Sequence, residues 1–316
     1  MSTNTIIDDL NTLPSEVLLL FEKREHAREV KDFLQSDKLR EEIKNLGYLV
    51  NDESNGTKVL KIGDESLKPL KHFLILFGSG EIAPSSVDIY RQTFLQLGKR
   101  NLKISLITTP AGFQPNVELV YDEIKDFLLA SLPDFKLTVN LIMANRLEDA
   151  NDPSIVADLD GSDIILMGPG SPTYAVKHLK NSLLLAKIIE LIKAGSSLIL
   201  ASAATISCSK YALPVYEIFK VGEELHWQDG LNLYQEIYQE LTVIPHFNNR
   251  EGGEGLDTSN CYIGANRASK LYAQLPLEAP LLGIDEHTAL IIDLDSGKQL
   301  VRGKGNIHKL ELTHEK

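Results

Sequence analysis

Apolar positions follow one period in the first seventy residues and another in the rest of the chain. Between Ser15 and Gly47 they recur at helical spacing with charged residues on the other faces, which predicts a helical hairpin. We place the break between its helices at Ser36-Asp37 and its end at Gly47, because serine and aspartate begin helices and glycine ends them. Residues 48–62 are predicted to form a small β-hairpin or an extended tail.

From Lys71 onward, short apolar runs alternate with helical stretches, and the runs end in turns that contain glycine or proline. This alternation predicts a parallel sheet with helices on both faces and functional groups at the carboxyl ends of the strands. The fold class is therefore α/β, with a small helical unit at residues 1–70 and an α/β domain at residues 71–316. The predicted strands include 72–77, 103–109, 136–143, 163–167 and 197–201.

Composition narrows the class of function. The net charge of -12 and the pI near 5.2 disfavour a broad phosphate-binding surface, so any contact with RNA would have to be local. Two cysteines, Cys208 and Cys261, argue against a disulfide framework and fit a reducing compartment. The first twenty residues lack the basic start and apolar run of a signal peptide, and no apolar run approaches the roughly 20 residues of a membrane span. We expect a cytoplasmic protein without a membrane segment.

One candidate nucleophile is Ser202, at the end of the apolar run that begins at Ser197. Small helix-forming residues follow it directly. A serine between a buried strand and a helix is held on a tight turn with its hydroxyl exposed, which is the geometry of a nucleophile elbow. The alternative is that Ser202 only caps the helix, since serine is a favoured N-cap residue.

A candidate base stands at the end of the apolar run 241–245, where His246 is followed by turn-forming residues. A histidine at the carboxyl end of a strand in the same sheet as Ser202 could accept the proton of its hydroxyl, with a carboxylate orienting the ring. The alternative is a structural histidine. His226 and His287 compete for the role, but neither ends so clear a strand.

Two glycine turns offer backbone amides. Gly78-Ser79-Gly80-Glu81 could bind a phosphate group. It lacks the third glycine of the dinucleotide fingerprint and the Lys-Ser/Thr of a P-loop, so the sequence supports nucleotide binding only weakly. Gly168-Pro169-Gly170-Ser171 follows a strand expected to neighbour that of Ser202, so its amides could face a developing oxyanion. The alternative for this second turn is a plain strand-to-helix loop.

The order of these motifs resembles the S51 peptidase family, which contains aspartyl dipeptidases and cyanophycinases. The resemblance spans residues 71–303 and is carried by the strings PHFNN (245–249) and GIDEHTAL (283–290). It implies a class I glutamine amidotransferase-like, flavodoxin-type fold. It also implies a serine nucleophile, so glutaminase activity, which uses cysteine, is disfavoured; Cys208 is expected on the buried side of the helix. The family usually has glycine where this chain has Leu200 and Ala204.

Carried over by position, the resemblance makes Ser202 the nucleophile and His246 the base. Glu217 is the expected acid, with Glu223 and Glu224 as alternatives, and the oxyanion would be bound by the amides of Gly170 and Ala203. No metal or other cofactor is implied. We expect a peptidase for small, aspartyl-containing peptides, with Arg250 and Arg267 as candidate partners of a substrate carboxylate.

A second resemblance covers the string EKREHAREVKDFLQSDKLREEIKNLGYLVNDESNGT (22–57), which is similar to the C-terminal helical segment of cysteinyl-tRNA synthetases. It implies a contact with tRNA or with a synthetase. The alternative is a helical addition that packs against the main domain or a partner subunit; a homodimer is the commonest soluble assembly. Two further hypotheses stay open, an inactive S51-like binding module and a hydrolase of aminoacyl or acyl conjugates.

Overall fold

In the computed structural model the chain divides into two compact units, Met1–Pro69 and Leu70–Lys316. The structure describes residues 5–7, 13–46, 48–53, 56–61 and 72–312. The predicted helix end at Gly47 lies outside these residues.

The first unit contains a helical hairpin and a three-stranded antiparallel sheet, ordered β1-β3-β2. The second helix does not start at Ser36-Asp37 as predicted. The chain turns at Lys31, where φ is 61°, and Asp32 accepts the amide of Gln35 at 3.1 Å, so that Asp32 caps the helix and Ser36 lies inside it. The elements are β1 (Thr5–Ile7), α1 (Ser15–Glu29), α2 (Phe33–Asn45), β2 (Tyr48–Glu53) and β3 (Gly56–Lys61).

The core of the first unit is small, and a buried arginine beside it forms an ion pair with a partly exposed aspartate. Val17 and Phe21 of α1 pack with Ile43 of α2 and with side chains of the sheet. Arg24, of which 1 % is exposed, donates to the carboxylate of Asp52 at 2.6 Å. Burial opposes ionisation of Asp52, but the hydrogen bonds and charges of Arg24 and Arg28 outweigh it and lower its pKa. This pair therefore joins α1 to β2.

The second unit is an α/β domain. Its strands are β4 (Phe73–Phe77), β5 (Asn101–Ile107), β6 (Lys136–Ile142), β7 (Ile164–Met167), β8 (Ser197–Ala201), β9 (Tyr211–Ala212), β10 (Gln228–Asp229), β11 (Thr242–Ile244), β12 (Leu281–Ile284), β13 (Thr288–Asp293), β14 (Gln299–Gly303) and β15 (Ile307–Leu310). Its helices are α3 (Val87–Gln96), α4 (Val117–Ser131), α5 (Leu147–Ala150), α6 (Pro153–Ala157), α7 (Pro172–Leu179), α8 (Leu183–Lys193), α9 (Ala203–Ser207), α10 (Leu233–Ile237) and α11 (Ala265–Tyr272).

A seven-stranded sheet forms the centre of this domain, in the order β14-β13-β4-β8-β7-β5-β6. The five strands from β4 to β6 in this order are parallel, and β13 and β14 are antiparallel at one edge. Alternate residues of each strand enter different cores: Leu74 and Leu76 pack on the side of α8, and Ile75 on the side of α3 and α4. The predicted α/β fold, a mainly parallel sheet covered by helices on both faces, is confirmed.

A separate three-stranded sheet, β11-β12-β15, delivers part of the site. β11 runs parallel to β12, with Ile244 opposite Gly283. The expectation that His246 ends a strand of the Ser202 sheet is therefore wrong. Only the short turn from Asp285 to His287 separates β12 from β13 of the large sheet, and this turn brings the two sheets together at the carboxyl end of β4.

None of the helices in the described part of the chain is both long enough and apolar enough to cross a membrane.

Candidate active site

Ser202 lies on a strained turn between β8 and α9. Its φ of 51° and ψ of -115° are unusual for a residue with a side chain, and such backbone costs of order 1–3 kcal/mol. The turn is held by its carbonyl oxygen, which accepts from the hydroxyl of Thr205 at 2.7 Å and from its amide at 3.1 Å. The Ser202 hydroxyl makes no capping hydrogen bond to the helix. Helix capping therefore does not account for this serine.

The residues around the elbow explain why glycine is not needed there. Leu200 has no exposed surface and packs in the core on the α8 side of the sheet, so the strand has room for a large side chain at this position. Ala204 is buried in the same core. Cys208 is also buried, and burial raises the pKa of its thiol to about 12, so that it stays a neutral core residue.

His246 is the direct partner of Ser202. Its Nε2 atom lies 2.9 Å from Ser202 Oγ. The backbone of His246 has a positive φ of 50° and is fixed on both sides, because its amide donates to the carbonyl of Gly78 at 3.1 Å and its carbonyl accepts the amide of Cys261 at 3.2 Å. Only 16 % of its side chain is exposed. The imidazole is thus held in one orientation against the serine.

Glu286 holds the other side of the imidazole. Its Oε1 atom lies 2.8 Å from His246 Nδ1 and also accepts the side-chain amide of Asn249 at 2.9 Å. The hydrogen bond from His246 lowers the pKa of Glu286, although partial burial acts in the opposite direction. An ionised carboxylate at Nδ1 keeps the proton on that nitrogen and leaves Nε2 free to accept the serine proton.

The expectation that Glu217 orients His246 is wrong. Its carboxylate accepts the hydroxyl of Thr173 at 2.9 Å, away from the imidazole. Glu223 and Glu224 do not supply the acid either, because both contact His226. The Glu223 carboxylate lies 3.9 Å from Nε2 of His226, and the Glu224 carbonyl oxygen lies 2.9 Å from Nδ1. Glu217 was predicted from its spacing to Ser202 along the chain. The acid instead comes from the turn between β12 and β13, which belong to different sheets. The sequence signal was the string 283–290, which contains Glu286.

Gly78 and Gly80 pack against the turn 285–287, which carries Glu286 and is called the acid turn below. They do not form a phosphate cradle. A Cβ atom on Gly78 would lie 2.1 Å from the carbonyl oxygen of Asp285. One on Gly80, where φ is 76°, would lie 2.4 Å from Nδ1 of His287. Only glycine allows the turn that carries Glu286 to pack this closely on the end of β4.

Gly170 approaches another strand end in the same way. A Cβ atom at this residue would lie 1.9 Å from the carbonyl oxygen of Pro110, and the neighbouring Ser171 amide donates to that oxygen at 2.8 Å. β7 pairs with β8, with Met167 opposite Leu200, so this turn lies beside the elbow. Ala203 is the first residue of α9, where an amide has no acceptor within the helix. These two amides remain the predicted oxyanion donors.

The two predicted substrate-binding arginines are both exposed. Arg250 directly follows Asn249, which binds Glu286, whereas Arg267 lies on α11. Among the residues that the structure describes, no hydrogen bond or ion pair joins either guanidinium to Ser202, His246 or Glu286.

Besides Glu286, three residues lie at the site without a role predicted from the sequence. Asn249 supports the acid, and the Tyr262 ring lies 5.8 Å from the imidazole of His246, centre to centre. Burial raises the pKa of the Glu81 carboxyl, although the charges of His246 and His287 act in the opposite direction. The described residues contain no group of three or more His, Cys, Asp or Glu side chains that could hold a metal ion.

Comparison with known proteins separates the two units. Residues 10–59 match the family model of the cysteinyl-tRNA ligase anticodon binding domain. The cysteine–tRNA ligase of Caldicellulosiruptor saccharolyticus is 52% identical over 50 residues, which cover 16% of this chain and 11% of that enzyme. That of Oenococcus oeni is 55% identical over 51 residues, again covering 16% and 11%. The chain thus spans about a tenth of the length of these relatives.

Among solved structures, the chain is similar to a peptidase from an acI-B1 Actinobacterium, with a TM-score of 0.59 and 23% sequence identity. The match covers 78% of this chain and 93% of the other. A putative peptidase E protein from Listeria monocytogenes EGD-e matches with a TM-score of 0.48 and 17% identity over 74% of this chain. At 23% identity the first likeness shows a shared fold.

Proposed function

We propose that this chain is a serine hydrolase of the S51 type that cleaves small peptides through an acyl-enzyme. The observation that carries the proposal is the unbroken hydrogen-bonded series Ser202 Oγ, His246 Nε2, His246 Nδ1 and Glu286 Oε1, with steps of 2.9 and 2.8 Å. A strained serine at a strand-to-helix turn, a fixed imidazole and an ionised carboxylate form the arrangement that activates a hydroxyl.

In the proposed reaction, Ser202 Oγ attacks the carbonyl carbon of an amide while His246 Nε2 takes its proton. The amides of Gly170 and Ala203 stabilise the negative charge on the carbonyl oxygen. His246 then returns the proton to the leaving nitrogen, the C–N bond breaks, and an ester forms on Ser202. A water molecule, deprotonated by His246, hydrolyses that ester and restores the serine.

As substrates we propose small, aspartyl-containing peptides, in which the aspartyl residue supplies the acyl group. The support is the fold shared with a solved peptidase and the exposed Arg250 one residue beyond Asn249. A guanidinium is suited to a carboxylate because it can donate two parallel hydrogen bonds. Arg267 on α11 is the less favoured partner.

The test is labelling of the full chain with a fluorophosphonate, read by intact mass. We expect one adduct on the wild type and none on Ser202→Ala or His246→Ala, because only an activated serine reacts at an appreciable rate. Ser269→Ala, which removes an exposed serine of α11, is the control and should label fully. Folded wild-type protein without an adduct, or an adduct that persists on Ser202→Ala, would refute the hydrolase.

A second candidate function, favoured by the match over residues 10–59, is a contact with tRNA through the first unit. Residues 1–69 contain 14 acidic and 10 basic side chains, so the contact would rest on a few local cations. A mobility-shift titration of the full chain with total tRNA tests it. The triple variant Lys23→Glu, Lys31→Glu, Lys38→Glu, all at exposed positions, should weaken binding; equal binding by the variant would argue against this contact.

A further inference from the structure

A cavity of about 600 Å³ opens beside the elbow, at the carboxyl ends of β5 and β7. Ser171, the residue after the predicted oxyanion donor Gly170, forms part of its wall. Glu217, which is not the acid of the triad, forms another part. The cavity lies in the crevice where open α/β sheets bind their ligands.

A second part of the cavity wall comes from the segment that follows Val215. Tyr216, Glu217 and Lys220 line the cavity, and Phe219 of the same segment lies 5.5 Å from the ring of Tyr262. Tyr262 in turn lies 5.8 Å from the ring of His246. These ring contacts connect the segment that carries Tyr216, Glu217 and Lys220 to the side of the imidazole.

Aromatic rings supply the apolar surface of the cavity. Phe113 and Tyr174 lie 5.4 Å apart, and Tyr216 faces the same space from the other wall. Phe113 is 47% exposed and Tyr216 is 40% exposed, so these rings leave apolar surface open to a ligand. A flat apolar group could pack against them in offset or edge-to-face contact.

Charged groups line the same space. Lys177 and Lys220 are among the lining residues, the ammonium of Lys220 lies 4.9 Å from the centre of the Phe219 ring, and the carboxylate of Glu217 accepts the hydroxyl of Thr173. Two cations and one anion favour a ligand with a negative charge. The carboxylate can in addition pair with an amine that becomes charged during the reaction.

We propose that this cavity is the leaving-group subsite and that it takes an aromatic amino acid with a free α-carboxylate, the C-terminal residue of the substrate. The inference rests on the proposed function and extends it. The ring packs against Phe113, Tyr174 and Tyr216, and the carboxylate binds the two lysines. When the amide is cleaved, His246 gives its proton to the leaving nitrogen, which then takes a further proton from water, and the ammonium pairs with Glu217.

The experiment is calorimetric titration of the full chain with three compounds that separate ring from charge. L-phenylalanine carries both, phenethylamine lacks the carboxylate, and L-alanine lacks the ring. We expect phenylalanine to bind at least about tenfold more tightly than either analogue, since each lost contact is worth about 1.4 kcal/mol or more. The double variant Lys177→Met, Lys220→Met should remove this preference over phenethylamine.

Lys193→Met is the matched control. This exposed lysine ends α8, just before the amino end of β8, and pairs with Glu236 far from the elbow, so its loss should leave phenylalanine binding unchanged. Absence of phenylalanine binding, equal binding of phenethylamine, or unchanged binding by the double lysine variant would overturn the subsite.

Fluorophosphonate labelling of the same preparations separates this inference from the proposed function. Labelled wild type that does not bind phenylalanine would remove the subsite and leave the hydrolase standing. Phenylalanine binding by a chain that does not label would remove the hydrolase and leave an amino-acid-binding cavity, so the leaving-group role would fall with it.

Discussion

Glu286 Oε1 lies 2.8 Å from Nδ1 of His246, although 40 residues separate them along the chain. The contact forms because β12 and β13 belong to different sheets and the turn between them passes the end of β4. Asn249 donates to the same carboxylate oxygen, so the acid is fixed from two directions. In the proposed reaction this pair leaves Nε2 of the imidazole free to accept the proton of Ser202, and the predicted labelling rates depend on it.

Glu286→Gln should slow fluorophosphonate labelling by about a thousandfold or more. A glutamine amide can donate to Nδ1 and so favours the tautomer whose Nε2 carries the proton, which cannot accept the serine proton. Glu223→Gln is the matched control and should change the labelling rate less than about threefold, because the Glu223 carboxylate lies at His226 and not at His246. A larger loss in the Glu223 variant than in the Glu286 variant would contradict the role of Glu286 as the acid.

The pH dependence of stability should report the same pair. The folded pKa of Glu286 is lower than its ordinary value of 4.5, so the ionised carboxylate stabilises the fold above that pH, and this contribution is lost as pH falls through the lowered pKa. Urea unfolding of wild type and Glu286→Gln should therefore differ by a constant free energy near neutral pH and converge in acid. A difference that grows toward low pH would show that the sign is wrong.

Leu200→Gly should lower the free energy of unfolding, although glycine is usual at this position in the S51 peptidase family. Leu200 is fully buried, so the substitution leaves a cavity and adds backbone freedom, with an expected loss of about 3–5 kcal/mol of unfolding free energy. The control Leu129→Ala, at a position 43% exposed, should cost about 1 kcal/mol or less. Denaturant unfolding measures both, and a stable Leu200→Gly variant would show that the strand tolerates glycine.

Gly78→Ala should displace the acid turn. The added Cβ would lie 2.1 Å from the carbonyl oxygen of Asp285, so backbone must move and Glu286 with it. We expect lower unfolding free energy and a labelling rate at least about tenfold slower. Gly255→Ala, at an exposed glycine with nothing within 4 Å of the new atom, should change stability by less than about 0.5 kcal/mol. Full labelling by Gly78→Ala would mean that the turn adapts without moving the carboxylate.

The sequence by itself determined the α/β class and the strands of the parallel sheet, and it placed Ser202 and His246 each at the end of an apolar strand. These follow from local information, because apolar periodicity sets which segments are strands and the residue after a buried strand lies at the edge of the sheet. It also marked 283–290 as a distinctive string without giving Glu286 a role.

Tertiary structure alone decided which acid meets His246. Glu217, Glu223 and Glu224 are nearer to the serine along the chain, but chain distance does not measure distance between elements that pack after folding. The choice depended on β11 and β12 forming a second sheet and on Gly78 and Gly80 lacking side chains, so that the 285–287 turn could pack against β4. In the sequence, such a close approach between two backbone segments is visible only as a glycine. Which segment packs against that glycine is decided by the tertiary structure.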